Sequence, residues 1–298
     1  YPASMHNYML FFTQKGKCYW LKVYEIPEGA KNSKGRAIQN MLNIDADDKV
    51  NAFIRVKQLQ DPEYNMSHNL LFCTRKGVIK KTKLEAYSRP RQNGVNAITI
   101  REDDQVIQVR LTTGDSQIIM ANKHGRAIRF HESTVREMGR TATGVRGMTL
   151  DETGDDEVIG MICIKDPEKE TVMVVSEQGY GKRSEIEDYR ITNRGGKGVK
   201  TLNITEKTGN LVAIKSVTDE NDLVIINKSG ITLRMKVADV RIMGRATQGV
   251  RLINLEKRND EIASVCKVLS ETESDSSNSE NIDSASEINE AEASETTE

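Results

Sequence analysis

The stretch Asn193-Arg194-Gly195-Gly196-Lys197-Gly198-Val199-Lys200 places three glycines and three cations within eight residues. Glycine allows backbone N–H groups to come close to an anion, and neighbouring cations would complete a phosphate site. Gly-rich basic loops are common, so on its own the stretch is explained equally well as a solvated loop. Gly198, however, belongs to a series of glycines that recurs along the chain, and this series indicates the fold.

An internal repeat becomes visible when the chain is aligned on glycines that close a tight turn. These glycines are 61, 48, 54 and 51 residues apart: Gly16, Gly77, Gly125, Gly179 and Gly230. A second glycine follows each of them after 19, 17, 19, 19 and 19 residues: Gly35, Gly94, Gly144, Gly198 and Gly249. Two registers maintained over five copies indicate a true repeat, and periods of about 50 residues are typical of propeller-like arrays.

Each repeat predicts four short strands. An apolar run such as residues 172–175 fits a strand that is buried on both faces, and the glycine turn after it fits a hairpin loop. The second strand carries cations. The third, such as residues 199–204, alternates apolar and polar residues, and an acidic turn separates it from an apolar fourth strand such as residues 158–164. No convincing helical pattern exists, although residues 132–138 leave a single helical turn open.

The predicted architecture is therefore all-β, a propeller-like array of four-stranded blades. The blades form one domain over residues 1–269, with repeats at about 1–58, 59–113, 114–166, 167–218 and 219–269. Residues 270–298 follow as an acidic tail, rich in Ser, Glu, Asn and Thr. Because the tail has almost no large apolar side chains to bury, we expect it to be disordered.

The net charge combines two unlike parts. The whole chain has a formal charge of −1, but residues 271–298 hold ten acidic residues and no Lys or Arg. The remainder has 43 basic against 34 acidic residues, a net charge near +9. A basic body suggests a partner that is a polyanion, and the acidic tail could compete with that partner for the body.

The composition predicts a cytoplasmic protein. Hydrophobic residues make up 37% of the 298 residues and aromatic residues 5%, and no apolar run is long enough to span a membrane. The N-terminus lacks the features of a signal peptide, and the missing initial Met suggests a fragment. The cysteines lie at least 55 residues apart without a C-x-x-C pair, so we expect buried free thiols: Cys18, Cys73, Cys163 and Cys266.

The cations cluster on the second strand and around the second glycine of each repeat. In stacked blades, equivalent positions fall on one rim, so these side chains would form a basic belt suited to bent duplex DNA. Companion groups that read bases are lacking, so we expect little sequence specificity. About ten phosphates could be engaged, which predicts a salt slope of roughly −9. The candidate DNA-binding residues are Lys34, Arg36, Lys80, Lys81, Arg91, Arg126, Arg129, Arg140, Arg146, Lys182, Arg183, Arg194, Lys197, Lys200, Arg234, Arg245 and Arg251.

Several stretches resemble a known family, the C-terminal domain of the A subunit of DNA gyrase, a bacterial type IIA topoisomerase. The resemblance covers residues 5 to about 269, and its most specific segments are residues 21–27, 141–147, 178–183 and 244–250. It implies a six-bladed β-pinwheel that wraps DNA around its perimeter. In the whole enzyme, this wrapping makes ATP-driven strand passage introduce negative supercoils.

Two departures from the family qualify the resemblance. The family carries a Gln-Arg-Arg-Gly-Gly-Lys-Gly box in its first blade, whereas only five repeats are present here, so the first blade is expected to be missing. Residues 194–198 match the core of the box but lie in the fourth repeat, after Thr192-Asn193 in place of Gln-Arg. The resemblance therefore implies phosphate contacts for Arg194 and Lys197, but not the special role of the box in the wrap.

The chain itself is expected to carry no catalytic residue, metal site or cofactor. The resemblance implies that the catalytic tyrosine lies in a part of the gyrase A chain that is absent here. It implies that ATP hydrolysis occurs in the B subunit, so ATP and Mg²⁺ belong to the A2B2 holoenzyme. No G-x-x-x-x-G-K-[ST] motif exists. The histidines show no metal-ligand spacing. These are His6, His68, His124 and His131.

Two alternatives stay open. The first is the equivalent domain of topoisomerase IV, which does not drive supercoiling; five well-kept repeats and the acidic tail argue against it. The second is a propeller-type module that binds other proteins, for which we would expect an apolar or mixed-charge rim. The two DNA-binding hypotheses predict strongly salt-dependent DNA binding, and the protein-binding hypothesis does not.

Overall fold

A computed structural model describes residues 3–30, 33–255 and 260–270. The predicted acidic tail at 271–298 lies outside the described residues. The described part is built almost entirely from short antiparallel strands, arranged as five propeller-like sheets. In chain order, the strands are β1 (Tyr8–Thr13), β2 (Lys17–Lys22), β3 (Val50–Val56), β4 (Asn69–Thr74), β5 (Val78–Lys83), β6 (Val95–Asn96), β7 (Val106–Thr112), β8 (Gln117–Asn122), β9 (Arg126–His131), β10 (Val145–Arg146), β11 (Val158–Ile164), β12 (Thr171–Ser176), β13 (Tyr180–Glu185), β14 (Val199–Lys200), β15 (Leu211–Val217), β16 (Asn221–Asn227), β17 (Thr232–Lys236), β18 (Val250–Arg251) and β19 (Ile262–Leu269).

The first two strands of every repeat form the predicted hairpin, and the fourth strand pairs with the other side of the first. All six residues of β4 and of β12 are buried, which confirms that the first strand packs on both faces. Leu10 and Phe12 of β1, for example, pack with Phe72 and Tyr87 of the second repeat. Burial of each such side chain contributes roughly 1.5–3 kcal/mol. The core is therefore a series of layers between neighbouring sheets, and not one central mass.

Successive sheets also meet through their fourth strands. Strand β3 contacts β7, β7 contacts β11, β11 contacts β15, and β15 contacts β19. These five strands lie at the inner edge of their sheets, so the second strand of each hairpin faces outward. The order of the first sheet from the outer to the inner edge is β6-β2-β1-β3.

The outer strand of each of the first four sheets comes from the following repeat, which corrects the prediction that one repeat forms one blade. Strand β6 of the second repeat pairs with β2 of the first, and the same exchange joins β10 to β5, β14 to β9, and β18 to β13. These outer strands are also only two residues long, where alternation predicted about six. Each blade therefore combines three strands of one repeat with a short strand of the next.

The two glycines of the repeat explain why the outer strand is short. After Lys200, the N–H groups of Thr201 and Leu202 both donate to the Gly125 carbonyl of the preceding hairpin, at 2.8 and 3.2 Å. Gly125 has a φ of +76°, and a Cβ there would lie 2.6 Å from the Leu202 carbonyl oxygen. The close approach requires glycine, and it turns the chain inward after two paired residues.

The exchange leaves both ends of the array incomplete. Within the described residues, the fifth sheet has three strands, in the order β17-β16-β19, because no following repeat supplies an outer strand. A Cβ added at Gly230 in its hairpin, or at Gly35 in the first repeat, would have no neighbouring atom within 4 Å. At the equivalent glycines of the internal joints, the added Cβ would always have a contact below 3 Å.

Helical structure among the described residues is limited to short segments of three to six residues. One α-helix, α1 (Pro62–Ser67), was not predicted; Asp61 caps it by accepting a hydrogen bond from the Glu63 N–H, and Pro62 fits its first turn. No helix among the described residues is long and apolar enough to cross a membrane. Short 3-10 helices lie at Val23–Glu25, Ile38–Asn40, Leu84–Tyr87, Glu132–Thr134, Ile186–Asp188 and Val237–Asp239, so the open question at residues 132–138 resolves as a 3-10 turn.

The cysteines are free thiols, as expected, but not all are buried. Cys18 and Cys73 are buried, Cys163 is half-buried, and Cys266 is exposed on β19. Burial raises the pKa of the Cys163 thiol to about 12, which keeps it protonated. The exposed position of Cys266 follows from the last inner strand, which has no further blade packed against its outer face among the described residues.

Candidate nucleic-acid interface

The structure divides the candidate cations into three groups by their burial. Nine of them are exposed: Lys34, Arg36, Arg91, Arg126, Arg146, Lys197, Lys200, Arg234 and Arg251. Arg140, Arg194 and Arg245 are half-buried and share one register, four residues before the second glycine. Lys34 and Arg36 flank Gly35 in the first repeat, and Arg234 lies on the outer edge of the fifth sheet, so these three stand apart from the internal joints.

Five candidates on the second strands are buried, so the expectation that they contact phosphates is wrong. They are Lys80, Lys81, Arg129, Lys182 and Arg183, and none has more than 6% of its surface exposed. The next repeat covers the outer side of the second strand. In an isolated sheet, this side of the strand would be exposed to solvent. Buried cations must find hydrogen-bond acceptors, and these five find them mainly in backbone carbonyls.

The fourth residue of each second strand joins its blade to the following repeat. Arg129 donates from Nη1 to the carbonyls of Ile186 and Tyr189, both at 2.8 Å, around the 3-10 helix Ile186–Asp188. Arg183 donates to the Val237 carbonyl at 3.2 Å and to Asp219 at 2.7 Å. In the same register, Lys81 reaches the Glu132 carbonyl, and Trp20 donates from its indole N–H to the Tyr87 carbonyl at 3.0 Å.

The preceding position holds two buried lysines. Lys80 donates to the carbonyls of Ala97, at 2.6 Å, and Arg140, and Lys182 donates to the Gly244 carbonyl at 2.6 Å. Burial, with the nearby Arg140 guanidinium adding to it, lowers the pKa of Lys80 to about 7. Burial likewise lowers the pKa of Lys182 to about 8. Their carbonyl partners lie mainly in the loops before the second glycine, so these lysines hold the loops in place from beneath.

Those loops and the outer strands form a continuous edge across the last three repeats. We call their cations the basic rim, which consists of Arg136, Arg140, Arg146, Arg190, Arg194, Lys197, Lys200, Arg241, Arg245 and Arg251. Arg194 donates from Nη1 to the Arg146 carbonyl at 2.9 Å, and Arg245 donates in the same way to the Lys200 carbonyl at 3.0 Å. Each arginine therefore reaches back to the cation-bearing strand of the repeat before it.

Backbone and threonine contacts connect the same loops. Thr149 Oγ1 donates to the Gly195 carbonyl at 2.6 Å, and Thr99 Oγ1 donates to the Thr141 carbonyl at 2.6 Å. The Asn203 N–H donates to the Thr247 carbonyl at 3.0 Å. Repeats two to five are thus linked in series along the outer edge. The spacing between successive rim cations is fixed by the fold and not by flexible side chains alone.

Residues 193–200 occupy the middle of the rim. Arg126 of the preceding blade donates to the carbonyls of Lys197 and Gly198, at 3.2 and 2.9 Å, and the Gly195 N–H donates to the Gly147 carbonyl at 2.7 Å. The glycine backbone is thus used at least partly for contacts between blades. Among the described residues, no carboxylate lies within ion-pair distance of Arg194, Lys197 or Lys200.

Three arginines of the rim were not among the sequence candidates. Arg136, Arg190 and Arg241 are all exposed, and each lies two residues after the end of a 3-10 helix. The signal was present, because each lies eight residues before its second glycine: Gly144, Gly198 and Gly249. The candidates came from the second strand and the immediate neighbourhood of the glycines, which do not include this position.

The acidic turns are placed against the hairpin turns. Lys17 contacts Asp45 at 2.7 Å, Lys15 contacts Asp47, and Lys228 contacts Glu261. These carboxylates therefore neutralise lysines at the hairpin turns and leave the rim positively charged.

Comparisons with known proteins agree with this arrangement. The profile of the DNA gyrase C-terminal domain family, described as a beta-propeller, matches residues 7–57, 68–113, 116–165, 170–218 and 221–266. The A subunit of DNA gyrase from Staphylococcus aureus (strain NCTC 8325 / PS 47) is 45% identical over 277 residues, which cover 93% of this chain and 30% of the relative. The same subunit of strain MRSA252 is 47% identical over 252 residues, which cover 85% of this chain and 28% of the relative.

Solved structures share the fold. The C-terminal domain of DNA topoisomerase IV superposes with a TM-score of 0.78 and 26% identity, covering 89% of this chain and 80% of that domain. The DNA gyrase A C-terminal domain superposes with a TM-score of 0.76 and 25% identity, covering 90% of this chain and 84% of that domain. This chain spans about 30% of the length of the curated gyrase A subunits that it matches. With five profile segments matched between residues 7 and 266, the chain belongs to the DNA gyrase C-terminal domain family.

Proposed function

We propose that the chain binds duplex DNA without sequence specificity and bends it along the basic rim. The observation that carries the proposal is the series of contacts from Arg245 to the Lys200 carbonyl and from Arg194 to the Arg146 carbonyl, which sets cations at regular positions along one edge. DNA presents regularly spaced phosphates, so a fixed series of cations suits it better than scattered charges. Bending 20–30 bp through 40–90° costs on the order of 1–6 kcal/mol, which several such contacts would offset.

The number of rim cations gives a quantitative expectation. If all ten residues of the basic rim contact phosphates, the logarithm of affinity falls against the logarithm of salt concentration with a slope of about −9. This matches the slope expected from the sequence, but with a different set of residues. The basic rim offers arginine and lysine to the ligand, and few groups that read base edges, so affinity should vary little with sequence.

As part of a gyrase A chain, the domain would wrap DNA for the whole enzyme. The B subunit would join the remainder of the A chain in the A2B2 complex, which passes one DNA segment through another and introduces negative supercoils. ATP and Mg²⁺ would act in those other parts, and the complex would work in the bacterial cytoplasm at the nucleoid. Support comes from the family membership and from the 45% identity to a gyrase A chain.

A second candidate is the corresponding domain of topoisomerase IV, which a TM-score of 0.78 favours. The 45% identity to a curated gyrase A subunit favours gyrase, whereas the two solved domains are about equally similar in sequence, at 26% and 25% identity. Relaxation and supercoiling assays with the full subunits would separate the two, because only gyrase is expected to add negative supercoils to relaxed DNA in the presence of ATP.

Ligation of nicked circular DNA with the intact chain bound tests wrapping directly. We expect a shift of the topoisomer distribution that grows with protein concentration and decreases with salt. The double variant Arg194→Glu, Lys197→Glu should lose most of this shift. The variant Lys165→Glu, Lys169→Glu makes the same charge change in the connection between β11 and β12 and should keep it.

Three outcomes would count against the proposal. An unchanged topoisomer distribution with the intact chain would argue against wrapping, and weak salt dependence would favour a module that binds proteins. Equal losses in both double variants would mean that net charge, and not the basic rim, governs binding. A chain ending at Ser270 would additionally show whether residues 271–298 compete with DNA, in which case its shift should exceed that of the full chain.

A further inference from the structure

A group of possible metal ligands lies where the hairpin of the third repeat meets its acidic turn. His124, between β8 and β9, contacts Asp151 through Nδ1, and its Nε2 lies 3.5 Å from Asp155 Oδ1. One ligand atom from each of these three residues can be chosen so that all lie within 4.8 Å of one another. Ligands that share one ion at about 2.1 Å are at most about 4.2 Å apart, so side-chain shifts of less than about 1 Å would suffice.

A buried carboxylate lies next to this group. The side chain of Asp156 is only 1% exposed, and its Oδ1 lies 3.8 Å from His124 Nδ1 with no hydrogen-bond partner. Its other oxygen is fully engaged, because Asn122 Nδ2 donates to it at 2.7 Å and the Asp151 N–H at 3.1 Å. A buried carboxylate oxygen without a partner is costly, and a cation at the mouth of this group would relieve that cost.

The charged groups of this site also carry a net negative charge that a cation would compensate. Asp151, Asp155 and Asp156 contribute three negative charges, and the Lys123 ammonium, 3.7 Å from Asp155 Oδ2, contributes one positive charge. Metal ligation requires a neutral imidazole, and with His124 neutral two negative charges are left uncompensated. The neighbouring Glu157 is paired with Arg75 at 3.8 Å and does not change this balance. Two surplus charges match one divalent ion.

We propose that His124, Asp151 and Asp155, backed by Asp156, bind one divalent cation. An imidazole nitrogen combined with carboxylate oxygens suits ions such as Mn²⁺ and Zn²⁺ better than Mg²⁺ or Ca²⁺, which prefer oxygen ligands throughout. The histidines were not expected to serve metals, because no two of them have ligand spacing in the sequence. Here the partners of His124 are aspartates 27 or more residues away, which only the folded turn brings together.

The first repeat offers an internal comparison. Asp48 occupies the position of Asp156 and also has a buried oxygen without a hydrogen bond. There, however, Lys15 contacts Asp47 and Lys17 contacts Asp45, so two ammonium groups already compensate the acidic turn. In the third repeat, the lysine that precedes the hairpin glycine is replaced by His124. The first and third repeats share the buried carboxylate beside an acidic turn. Of the two, the third repeat has the histidine that could bind a metal.

The site lies next to residues that hold the basic rim. Gly125, which follows His124, accepts hydrogen bonds from the N–H groups of Thr201 and Leu202, and Arg126 holds the carbonyls of Lys197 and Gly198. A bound ion would fix the turn that carries both contacts, and through them residues 193–200. This effect on DNA binding rests on the proposed function, whereas binding of the ion itself does not.

Titration of the intact chain with Mn²⁺, followed by electron paramagnetic resonance, tests the proposal. We expect one saturable Mn²⁺ site per chain, and Zn²⁺ should displace the bound Mn²⁺. The variant Asp151→Asn, Asp155→Asn should weaken binding by at least about tenfold. The matched variant Asp45→Asn, Asp47→Asn in the first repeat should bind as the parent does. Circular dichroism would establish that both variants are folded.

A second variant tests the chemistry more sharply. His124→Lys creates the arrangement of the first repeat and should abolish Mn²⁺ binding without loss of fold. The proposal would be overturned if the parent bound no Mn²⁺ saturably, or if either the aspartate pair or His124 could be replaced without effect. Ligation of nicked circular DNA in the presence and absence of Mn²⁺ then measures the effect of the ion on DNA wrapping. If Mn²⁺ binds but the topoisomer distribution does not change, the proposed effect on the basic rim is wrong and the metal site itself is retained.

Discussion

The joint between the fourth and fifth blades differs from the outer edge of the fifth blade, although the same kind of strand forms both. At the joint, β18 covers β13, and Arg183 is buried against the Val237 carbonyl. At the edge, no outer strand covers β17 within the described residues, and Arg234, 40% exposed, donates to Asp222 of its own sheet at 2.8 Å. The comparison teaches that a cation on the second strand becomes structural when the next repeat covers it.

Among the substitutions that test this comparison, replacement of Arg129 should lower the free energy of unfolding most. Arg129→Met removes the donors to the Ile186 and Tyr189 carbonyls; the Ile186 carbonyl keeps the Tyr189 N–H as a donor, whereas the buried Tyr189 carbonyl loses its donor. We expect a loss of about 2–4 kcal/mol in the free energy of unfolding, from the hydrogen bonds that the charged donor makes to buried acceptors. Urea unfolding followed by circular dichroism would measure it. Arg234→Met is the control, and it should cost clearly less because its partners lie at a partly exposed edge. Similar losses in both variants would show that burial at the joint is unimportant.

The glycines of the joint and of the open end provide the next test. Gly198 has a φ of +72°, and a Cβ there would lie 2.3 Å from the Ala127 carbonyl oxygen. Gly35 has a similar φ of +69°, but a Cβ there would have no atom within 4 Å. Backbone strain alone costs roughly 1–2 kcal/mol at either position.

Gly198→Ala should therefore cost on the order of 3 kcal/mol or more, because steric overlap adds to the strain, and Gly35→Ala only the strain. Thermal and urea unfolding of both variants would measure the difference. If the two substitutions were equally costly, the close packing of the outer strand against the preceding hairpin would not contribute to stability.

The buried lysines predict a smaller effect that depends on pH. Lys80 has a pKa of about 7 in the folded chain, lowered from 10.5, so between these values the unfolded chain binds more protons. The contribution of Lys80 should therefore make the free energy of unfolding rise as pH increases from about 7 towards 10, by at most about 1.4 kcal/mol per pH unit. Below about pH 7, this contribution should be flat.

Lys80→Met should make this rise smaller, since only the contribution of Lys182, whose pKa is lowered to about 8, remains from the two lysines, and Lys76→Met, at an exposed site in the same hairpin, should leave the rise intact. Urea unfolding at several pH values between about 6.5 and 9.5 would compare the three proteins. An unchanged rise in Lys80→Met would assign the pH dependence to other groups.

The smallest effect on stability is expected on the basic rim. The triple variant Arg136→Ala, Arg190→Ala, Arg241→Ala should change the free energy of unfolding by no more than about 0.5 kcal/mol per site, because these side chains are exposed. It should, however, make the salt slope of DNA binding shallower by about 3. Fluorescence anisotropy with duplex DNA at several salt concentrations would test this. A strong loss of stability with an unchanged slope would mean that these arginines stabilise the fold and do not contact DNA.

The sequence predicted the repeats, the hairpins and the rim positions next to the second glycine, because glycine turns and apolar runs are local signals. It did not predict the exchange of outer strands. The alternation in residues 199–204 shows which side chains face inward, but not that Val199 pairs with Ala127 of the preceding repeat. The burial of Lys80 and Lys81 was missed for the same reason, since two consecutive lysines are expected to have at least one face in water.

The exchange of outer strands has a consequence for how such arrays can change length by gene duplication or deletion. Loss or gain of one full period removes or adds one hairpin together with one donated strand. This holds wherever the endpoints of the segment fall. Every surviving hairpin that is followed by another repeat then receives an equivalent segment beginning Gly-Val from its new neighbour, as β9 does from β14 and β13 from β18. Only the two termini need sequences of their own, so the number of blades can vary without a redesign of the interior.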